Sequence, residues 1–335
     1  MTHLVFGTGL IGGFIAGGLL HAGIDTRLIG REKQRKAMHN GLTLSDLDHN
    51  RADIDPPTFL STGAQDDESP DIRVLWLTVK CTAVQSSIAQ ISTIISPETV
   101  IICCQNGFGS DAPIRQAFPD NPILQAVIGF NVSEQGEAHL HRSTDGSLVI
   151  ESFSELNSTF ERLHCGLLPV HLTNNITAER WAKLQLNLAN SVNALSDIPT
   201  KAMTEDPYFR RVIAALMSEL LDVTNAMKLP LPKLTPLPAA WLPKIMRLPN
   251  WLYLKLAQKT LAIDPTARVS MWWDLSQGKQ SEIEYLNQAV VDHGSALGIE
   301  CPLNAKISEL IRKVEQGDES IGISGPELAR RLGIL

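Results

Sequence analysis

The sequence contains no C-x-x-C pair, and its cysteines are few and odd in number. An even set of closely spaced cysteines is typical of a disulfide-stapled secreted domain, and paired cysteines are typical of a zinc site. Because neither pattern is present, we expect no metal site and a reducing, cytoplasmic compartment. The five cysteines are Cys81, Cys103, Cys104, Cys165 and Cys301.

Imidazoles are the other common metal ligands, and one pair of histidines is closely spaced. His139 and His141 alternate with Leu140, which in a strand places both rings on one face. No third ligand lies near them in the sequence. We therefore expect two surface histidines rather than a metal site.

The chain also lacks an excess of positive charge. It carries 29 Lys and Arg against 36 Asp and Glu, a formal net charge of −7 and a pI near 5.7. These values argue against a nucleic-acid or anionic-membrane surface spread over the whole molecule, and we expect neither partner. The 335 residues, 44% hydrophobic and 19% charged, are typical of a folded chain of about two domains.

No Asp, Glu, Lys or Arg occurs among the first 24 residues, as in a signal peptide or a membrane span. The segment lacks the basic head of a signal and the flank of a stop-transfer sequence, so we exclude both. Its G-x-x-x-G spacings are weak evidence outside a truly apolar twenty-residue segment. Its glycines are Gly7, Gly9, Gly12, Gly13, Gly17, Gly18 and Gly23.

A G-x-G-x-x-G motif accounts for these glycines better, because it lies between a short apolar run and a helical stretch. In a Rossmann unit the first glycine forms the tight turn, the second admits a pyrophosphate, and the third lets the helix pack on the strand. A second strand-like run, Thr26 to Ile29, follows at the expected distance. The predicted dinucleotide-binding turn consists of Gly7, Thr8, Gly9, Leu10, Ile11 and Gly12.

The end of that second strand indicates which nicotinamide cofactor binds. A carboxylate there binds the ribose hydroxyls of NAD, whereas an arginine accepts the 2′-phosphate of NADP. This sequence has Gly30-Arg31 at that place, with further basic residues on the following turn. The pattern favours NADP(H), although Glu32 leaves NAD(H) as the alternative and a solvated helix start as a third interpretation.

Alternating strand and helix patterns continue to about residue 130 and predict a parallel sheet. Lys80 and Gln105-Asn106-Gly107 follow two successive buried strands, at the edge where such sheets bind ligands. We therefore predict Lys80 and Asn106 as cofactor-binding residues, against the alternatives of a surface lysine and a plain turn. A less regular stretch is expected from there to about His171.

Long helices are predicted after that stretch, so we place an NADP(H)-binding Rossmann domain at residues 1–172 and an all-α domain at residues 173–335. The first helix has an apolar stripe of Trp181, Leu184, Leu188, Val192 and Leu195. Another face carries Lys183, Asn187 and Ser191 at four-residue spacing. Such a row is often only a solvated face.

Several separated motifs resemble the ketopantoate reductase (2-dehydropantoate 2-reductase) family. The glycine turn, Arg31, Lys80 and Gln105-Asn106-Gly107 are similar to the family's cofactor half. The helix motif W-x-K-L-x-x-N, from Trp181 to Asn187, resembles its catalytic helix. Ser270 and the run Ser281 to Asn287 resemble its carboxyl-terminal signature.

The resemblance implies an NADPH-dependent reduction of a branched 2-keto acid, in which 2-dehydropantoate becomes pantoate for pantothenate biosynthesis. Lys183 is then the proton donor and Asn187 holds the substrate. Glu282 reaches the catalytic lysine or the cofactor, and Ser270 binds the substrate carboxylate. The residues alone offer another role for the acidic pair, because Ser281-x-x-Glu284 has the form of a capping box and Gly278 breaks the chain before it.

One substrate contact departs from the family pattern. Pantoate-forming members have a second asparagine where an ungapped count places Ser191, with Asn190 and Asn193 beside it. A reductase of another 2-keto acid or ketone is therefore a second hypothesis, and a non-catalytic NADP(H) sensor is a third. Which of these three residues replaces the asparagine stays open.

The segment from residue 229 to residue 263 is unusually rich in proline and tryptophan. Proline at that density prevents one continuous helix, so turns and short helices are expected. Its tryptophans need apolar cover. A lid over the substrate, a pad against a second subunit of a homodimer, and a satellite core under a long loop all remain open.

Overall fold

The structure is a computed structural model that describes residues 1–60, 71–257 and 266–334. It forms two compact units, of which unit 1 comprises Met1–Asn106 and Ser110–Thr177, and unit 2 comprises Gly107–Gly109 and Ala178–Leu335. No helix within the described ranges is both long and apolar enough to cross a membrane.

Unit 1 is an α/β unit built on an eight-stranded sheet of order β12-β11-β8-β7-β6-β1-β2-β5. Its strands are β1 (Thr2–Phe6), β2 (Thr26–Ile29), β3 (Leu42–Asp46), β4 (Arg51–Ile54), β5 (Thr58–Phe59), β6 (Ile72–Leu77), β7 (Val100–Cys103), β8 (Ile123–Ile128), β9 (Val132–Gly136), β10 (His139–Arg142), β11 (Leu148–Glu151) and β12 (Val170–Thr173). Its helices are α1 (Leu10–His21), α2 (Glu32–Ala37), α3 (Val84–Ile91), α4 (Ala112–Ala117) and α5 (Asn157–Arg162).

Both faces of the main sheet are covered, as expected of a doubly wound fold. Helix α1 and the second sheet contribute to the core on one face, and α3 and α4 contribute to the core on the other. The strands from β5 across to β8 are parallel, whereas β11 runs antiparallel to β8. The expected Rossmann-type α/β fold is thus confirmed, and the sheet is mixed at one edge.

The expectation of a less regular stretch after residue 130 is wrong. Strands β9 and β10 join β3 and β4 in a second sheet of order β4-β3-β10-β9, and β11 and β12 extend the main sheet. These strands have only four or five residues, too few for a clear alternation. His139 and His141 lie on one face of β10, as predicted, where both rings hydrogen-bond to the Ser45 hydroxyl at 2.8 Å.

Unit 2 is all-helical in its described part, as expected. Its α-helices begin with α6 (Ile176–Asn187), which extends back two residues into unit 1, and continue with α7 (Ala189–Ser196), α8 (Thr200–Glu205), α9 (Pro207–Ala226), α10 (Leu242–Met246), α11 (Asn250–Ala257), α12 (Ser270–Ser276), α13 (Asn287–Ala296), α14 (Pro302–Gln316) and α15 (Gly325–Leu332). The predicted apolar stripe of α6 and α7 is completely buried in one core cluster.

The proline- and tryptophan-rich segment folds as short elements, as predicted, although residues 258–263 lie outside the described ranges. A 3₁₀ turn at Ala239–Trp241 leads into α10, and α11 follows. Tyr253 is buried in a small cluster with Ile245 and Leu248. Trp241 and Trp251 remain 55% and 69% exposed, so the satellite core exists but does not cover these two tryptophans.

Arg210 on α9 holds this segment in place. Its side chain is completely buried and donates hydrogen bonds to five oxygens, including the carbonyls of Met246 and Leu248 and the side-chain oxygen of Asn250. The guanidinium also lies 4.2 Å from the ring centre of Tyr253. A buried cation is tolerable only when its donors are satisfied, and here oxygen acceptors replace its water.

We expect Arg210→Met to lower the free energy of unfolding by about 3 kcal/mol or more, because it leaves several buried oxygens without a donor. Urea denaturation measures the loss, and proteolysis should cut the variant first between residues 239 and 257. Arg211→Met is the matched control, since Arg211 is its exposed neighbour. Equal stability of the two variants would show that Arg210 does not hold this segment in place.

Candidate functional site

The glycine turn between β1 and α1 has the shape that the motif predicts. Gly7 has a φ of 105°, in the region that favours glycine. A Cβ on Gly12 would collide with the carbonyl oxygen of Gly7 and the hydroxyl of Thr78, so the helix can approach the strand only without a side chain there. Nothing lies within 4 Å of the Cβ position of Gly9, which leaves space beside the turn.

This turn suits the pyrophosphate of a dinucleotide. Gly9 is the residue before α1, and the first amide groups of a helix have no partner within it and carry partial positive charge. The buried hydroxyl of Thr8 has no hydrogen-bond partner within the described residues, so a ligand oxygen would satisfy it. Leu10 and Ile11 form the first turn of the helix, with Leu10 exposed.

Arg31 lies just beyond the end of β2, directly before α2. Its side chain is exposed and forms no ion pair with any residue of the described ranges. Glu32, whose carboxylate could have favoured NAD, lies 3.7 Å from the ammonium of Lys36. The positive charge that this strand end offers a ligand is therefore that of Arg31, with the exposed Lys33 and Arg35 on the following turn.

Lys80 and Asn106 follow β6 and β7, which are neighbours in the main sheet. The side chain of Gln105 joins the two strand ends, because its amide donates to the carbonyls of Leu77 at 2.7 Å and Val79 at 3.0 Å. The thiol of Cys81 also donates to the carbonyl of Asn106. Both predicted cofactor residues thus lie at the same carboxyl edge of the sheet.

The three residues after Asn106 pack with the helices of unit 2. The Phe108 ring lies 4.7 Å from that of Trp181 and 5.2 Å from that of His293, and the Arg180 guanidinium lies 4.3 Å above it. The Phe108 amide donates to the carbonyl of Tyr285 at 3.0 Å. Sequence reasoning missed this anchor, whose only signal is an aromatic residue between two glycines.

Helix α6 carries the predicted catalytic row. Lys183 is half-buried, and this burial lowers the pKa of its ammonium from the ordinary value of 10.5. Asn187, one helical turn further on, is 9% exposed. A lysine of lowered pKa gives up a proton more readily near neutral pH, which suits it to general acid chemistry.

Ser191 does not extend this row toward a ligand. It is completely buried, and its hydroxyl donates to the carbonyl of Leu188 at 3.1 Å. Asn193 is also buried, where its amide donates to the carbonyl of Ile198 and accepts from the amide of Val269. Of the three candidates for the family's second asparagine, Asn190 alone is partly exposed.

Ser270 and Glu282 lie at the ends of two further elements of unit 2. Ser270 is the exposed first residue of α12, and Glu282 is half-exposed before a 3₁₀ turn at Ile283–Tyr285. Between them Gly278 has a φ of 62°, which confirms the predicted break. Each predicted polar residue directly precedes a member of one core cluster, namely Leu184 after Lys183, Met271 after Ser270 and Ile283 after Glu282.

The predicted capping box at Ser281 and Glu284 is wrong. The Ser281 hydroxyl accepts from the amide of Ile283, and the Ser281 amide donates to Glu315. Glu284 forms a bidentate pair with Arg312 on α14, at 2.6 and 2.9 Å. A capping box does not form because Ser281 precedes the 3₁₀ turn at Ile283–Tyr285, and α13 begins only at Asn287. In addition, the ion pair with Arg312 holds the Glu284 carboxylate.

No group of three or more His, Cys, Asp or Glu in the described part of the chain is arranged to hold a metal ion. The candidate functional residues are those at the sheet edge of unit 1 and, separately, those on α6 in unit 2.

Comparisons with known proteins agree with both units. Residues 3–155 match the family model "Ketopantoate reductase PanE/ApbA", and residues 175–315 match "Ketopantoate reductase PanE/ApbA C terminal". A 2-dehydropantoate 2-reductase of Pyrobaculum aerophilum is 29% identical over 218 residues, which is 64% of this chain and 70% of that protein. The 2-dehydropantoate 2-reductase of Archaeoglobus fulgidus is 21% identical, and the match covers 93% of this chain and 97% of that protein.

Solved structures share the fold. A PanE/ApbA family ketopantoate reductase from Ralstonia eutropha superposes with a TM-score of 0.77, at 24% identity, and the match covers 96% of this chain and all of that one. D-mandelate dehydrogenase with NADH and anilino(oxo)acetate gives 0.74 at 18% identity, covering 95% and 99%.

A Rossmann unit followed by this helical unit defines a nicotinamide-dependent oxidoreductase. Within that class, the chain belongs to the ketopantoate reductase family.

We expect Phe108→Ala to loosen unit 2, although residue 108 lies between β7 and α4 in the chain. Removing a buried phenylalanine costs about 3–5 kcal/mol, and here the lost contacts are with Arg180, Trp181 and His293. Hydrogen exchange should therefore speed up in α6. Phe118→Ala, at a buried site of unit 1, is the control. Faster exchange confined to β7 and α4 in the Phe108 variant would contradict the anchor.

Proposed function

We propose that the protein is an NADPH-dependent reductase of a branched 2-keto acid, converting 2-dehydropantoate to pantoate, the step used in pantothenate biosynthesis. The observation that carries the proposal is the row of Lys183 and Asn187 on α6, in which burial lowers the pKa of the lysine. The relatives named 2-dehydropantoate 2-reductase support the substrate.

In this proposal, Gly7, Thr8, Gly9, Leu10, Ile11 and Gly12 hold the pyrophosphate of NADP(H). Arg31 binds the 2′-phosphate, because an arginine forms short, charge-assisted hydrogen bonds to phosphate. Lys80, Asn106 and Glu282 contact the rest of the cofactor. Residues 1–172 then serve as the NADP(H)-binding domain, and residues 173–335 as the substrate and catalytic domain.

The chemistry that a reduced nicotinamide would supply, when these residues hold it, is a hydride for the keto carbon. The Lys183 ammonium stabilises the negative charge that develops on the keto oxygen and donates the proton that makes it a hydroxyl. Asn187 holds the substrate by hydrogen bonds, and the Ser270 hydroxyl binds its carboxylate. Glu282 reaches the catalytic lysine or the cofactor.

The buried Ser191 supports a second candidate, a reductase of the same family acting on another 2-keto acid or ketone. Ser191 makes a backbone hydrogen bond at the position where an ungapped count places the second asparagine of the family pattern. The structural neighbour D-mandelate dehydrogenase is described with anilino(oxo)acetate, so the second candidate includes substrates that carry an aromatic group. A panel of keto acids with NADPH and NADH separates both candidates from a non-catalytic sensor, which would oxidise neither cofactor.

We also propose a cytoplasmic homodimer. A ketopantoate reductase from Staphylococcus aureus, similar in fold at a TM-score of 0.71 and 20% identity with 95% and 100% coverage, is described as dimeric. Trp241 and Trp251 are large apolar side chains that a second copy would cover.

The first prediction from this proposal concerns the cofactor. Arg31→Ala should weaken the binding of NADPH about 10- to 100-fold, because a lost charged hydrogen bond to phosphate costs roughly 1.5–3 kcal/mol. NADH has no 2′-phosphate, so its KM should change less than about twofold. Arg162→Ala, at an exposed arginine in the last turn of α5, is the control. Equal losses for both cofactors would remove Arg31 from the phosphate site.

The second prediction concerns Lys183. Lys183→Ala and Lys183→Gln should both lower kcat about a hundredfold or more with the fold preserved, since neither supplies a proton or a charge. In the parent, kcat for reduction should fall as pH rises through the pKa of Lys183, which burial places below 10.5. Lys244→Ala, on the exposed part of α10, should retain the parent profile. If either Lys183 variant retained more than half of the parent activity, Lys183 would have no catalytic role.

A further inference from the structure

Thr8 lies directly over Gly30 in unit 1. The Cβ position of Gly30 overlaps the Thr8 hydroxyl oxygen and is 3.0 Å from the Thr8 Cβ. The Cε1 atom of Phe59 lies 3.4 Å from the same Cβ position. Any side chain at residue 30 therefore meets the threonine of the glycine turn.

Rotation of the Thr8 side chain does not remove this conflict. The hydroxyl oxygen can turn away, but the Thr8 Cβ stays where the backbone places it, at a distance tighter than ordinary van der Waals contact. Thr8 is also only 3% exposed, and a β-branched side chain has few rotamers to choose from. A substituent on residue 30 must therefore shift the turn itself.

Residue 30 is the first residue after β2 and is exposed. In Rossmann sites that prefer NAD, a carboxylate at the end of this strand binds the ribose hydroxyls, and a 2′-phosphate is rejected by like charge. Here glycine occupies that place and Arg31 follows it.

We propose that Thr8 is a specificity-determining residue which, by occupying the side-chain position of Gly30, excludes a carboxylate from the end of β2 and so keeps the site selective for NADPH. The selectivity then has two parts, the attraction of Arg31 for the 2′-phosphate and the exclusion by Thr8 of the group that NADH needs. This inference rests on the proposed NADPH dependence and adds a steric determinant to it.

The experiment uses the full chain and five variants: Gly30→Asp, Thr8→Gly, Thr8→Val, Thr8→Gly/Gly30→Asp and Thr8→Val/Gly30→Asp. Thr8→Gly removes the obstructing side chain. Thr8→Val keeps its volume but lacks the hydroxyl, so it separates exclusion from hydrogen bonding. The dissociation constants of NADPH and NADH are measured by calorimetry without substrate, together with the thermal midpoint of each variant.

We expect Gly30→Asp to lower the thermal midpoint and to gain no NADH affinity. Thr8→Gly/Gly30→Asp should regain the midpoint of Thr8→Gly and bind NADH at least about tenfold more tightly than Thr8→Gly does, as for one new charged hydrogen bond. Thr8→Val/Gly30→Asp should behave as Gly30→Asp does, because the obstruction remains.

Two results would overturn the proposal: equal NADH affinity in Gly30→Asp and in Thr8→Gly/Gly30→Asp, or a folded Thr8→Gly/Gly30→Asp variant that binds NADH no better than Thr8→Gly. If the aspartate variants do not fold, Gly30→Ala decides, since it adds only the Cβ. A parent-like midpoint in Gly30→Ala overturns the exclusion, and a lowered midpoint that Thr8→Gly restores supports it. Failure of the proposed function appears separately, as a parent that binds neither cofactor or prefers NADH.

Discussion

The packing of unit 1 depends on the glycines of helix α1, because side chains at these positions would collide with neighbouring strands and loops. Its glycines let two sheets approach one helix: a Cβ on Gly17 would lie 2.9 Å from the side chains of Leu42 and Leu44 of the second sheet, and one on Gly12 would strike the turn after β1. Leu42 and Leu44 are in turn almost completely buried. The glycine turn leads directly into the same helix, whose first amide groups have no partner within it. The packing that builds the core thus also sets the position of the predicted pyrophosphate site.

Unit 2 positions its polar candidates through one apolar core instead. Lys183, Ser270 and Glu282 lie on three different elements, and each is the chain neighbour of a residue in the same buried cluster. Phe108 belongs to that cluster as well, so the same packing fixes Gly107, Phe108 and α6. Side chains that must act together are held most firmly when their neighbours are buried together, because close-packed interiors allow little independent movement.

The sequence allowed prediction of the parts of the fold whose signals are local. The glycine turn, Thr26–Ile29 and the Lys183 row depend on spacings within one or two elements, and the structure has them where expected. The second sheet was missed because β3 pairs with β10, almost a hundred residues away, and no short strand reveals its partner. The capping box failed for a similar reason, since Glu284 is paired with the distant Arg312. Nor does helical spacing alone reveal that Ser191 is buried and bonded to the backbone.

The same distinction bears on the substrate. With Ser191 and Asn193 in internal hydrogen bonds, the row that we propose holds the substrate retains Lys183, Asn187 and the partly exposed Asn190. The adjoining face of α6 packs against the proline-rich segment, where Gln185 donates to the carbonyl of Ala239 and Leu186 lines a small apolar cavity with Leu234 and Leu237. Leu186 directly precedes Asn187 in the chain, but successive residues of a helix point about 100° apart, so this cavity lies on a different face of α6 from the row that we propose holds the keto acid. A segment built from prolines keeps its shape without a regular helix, because each ring fixes one backbone angle. The segment therefore supports α6 from beside the proposed row, and its rigidity helps to hold Lys183 and Asn187 in place.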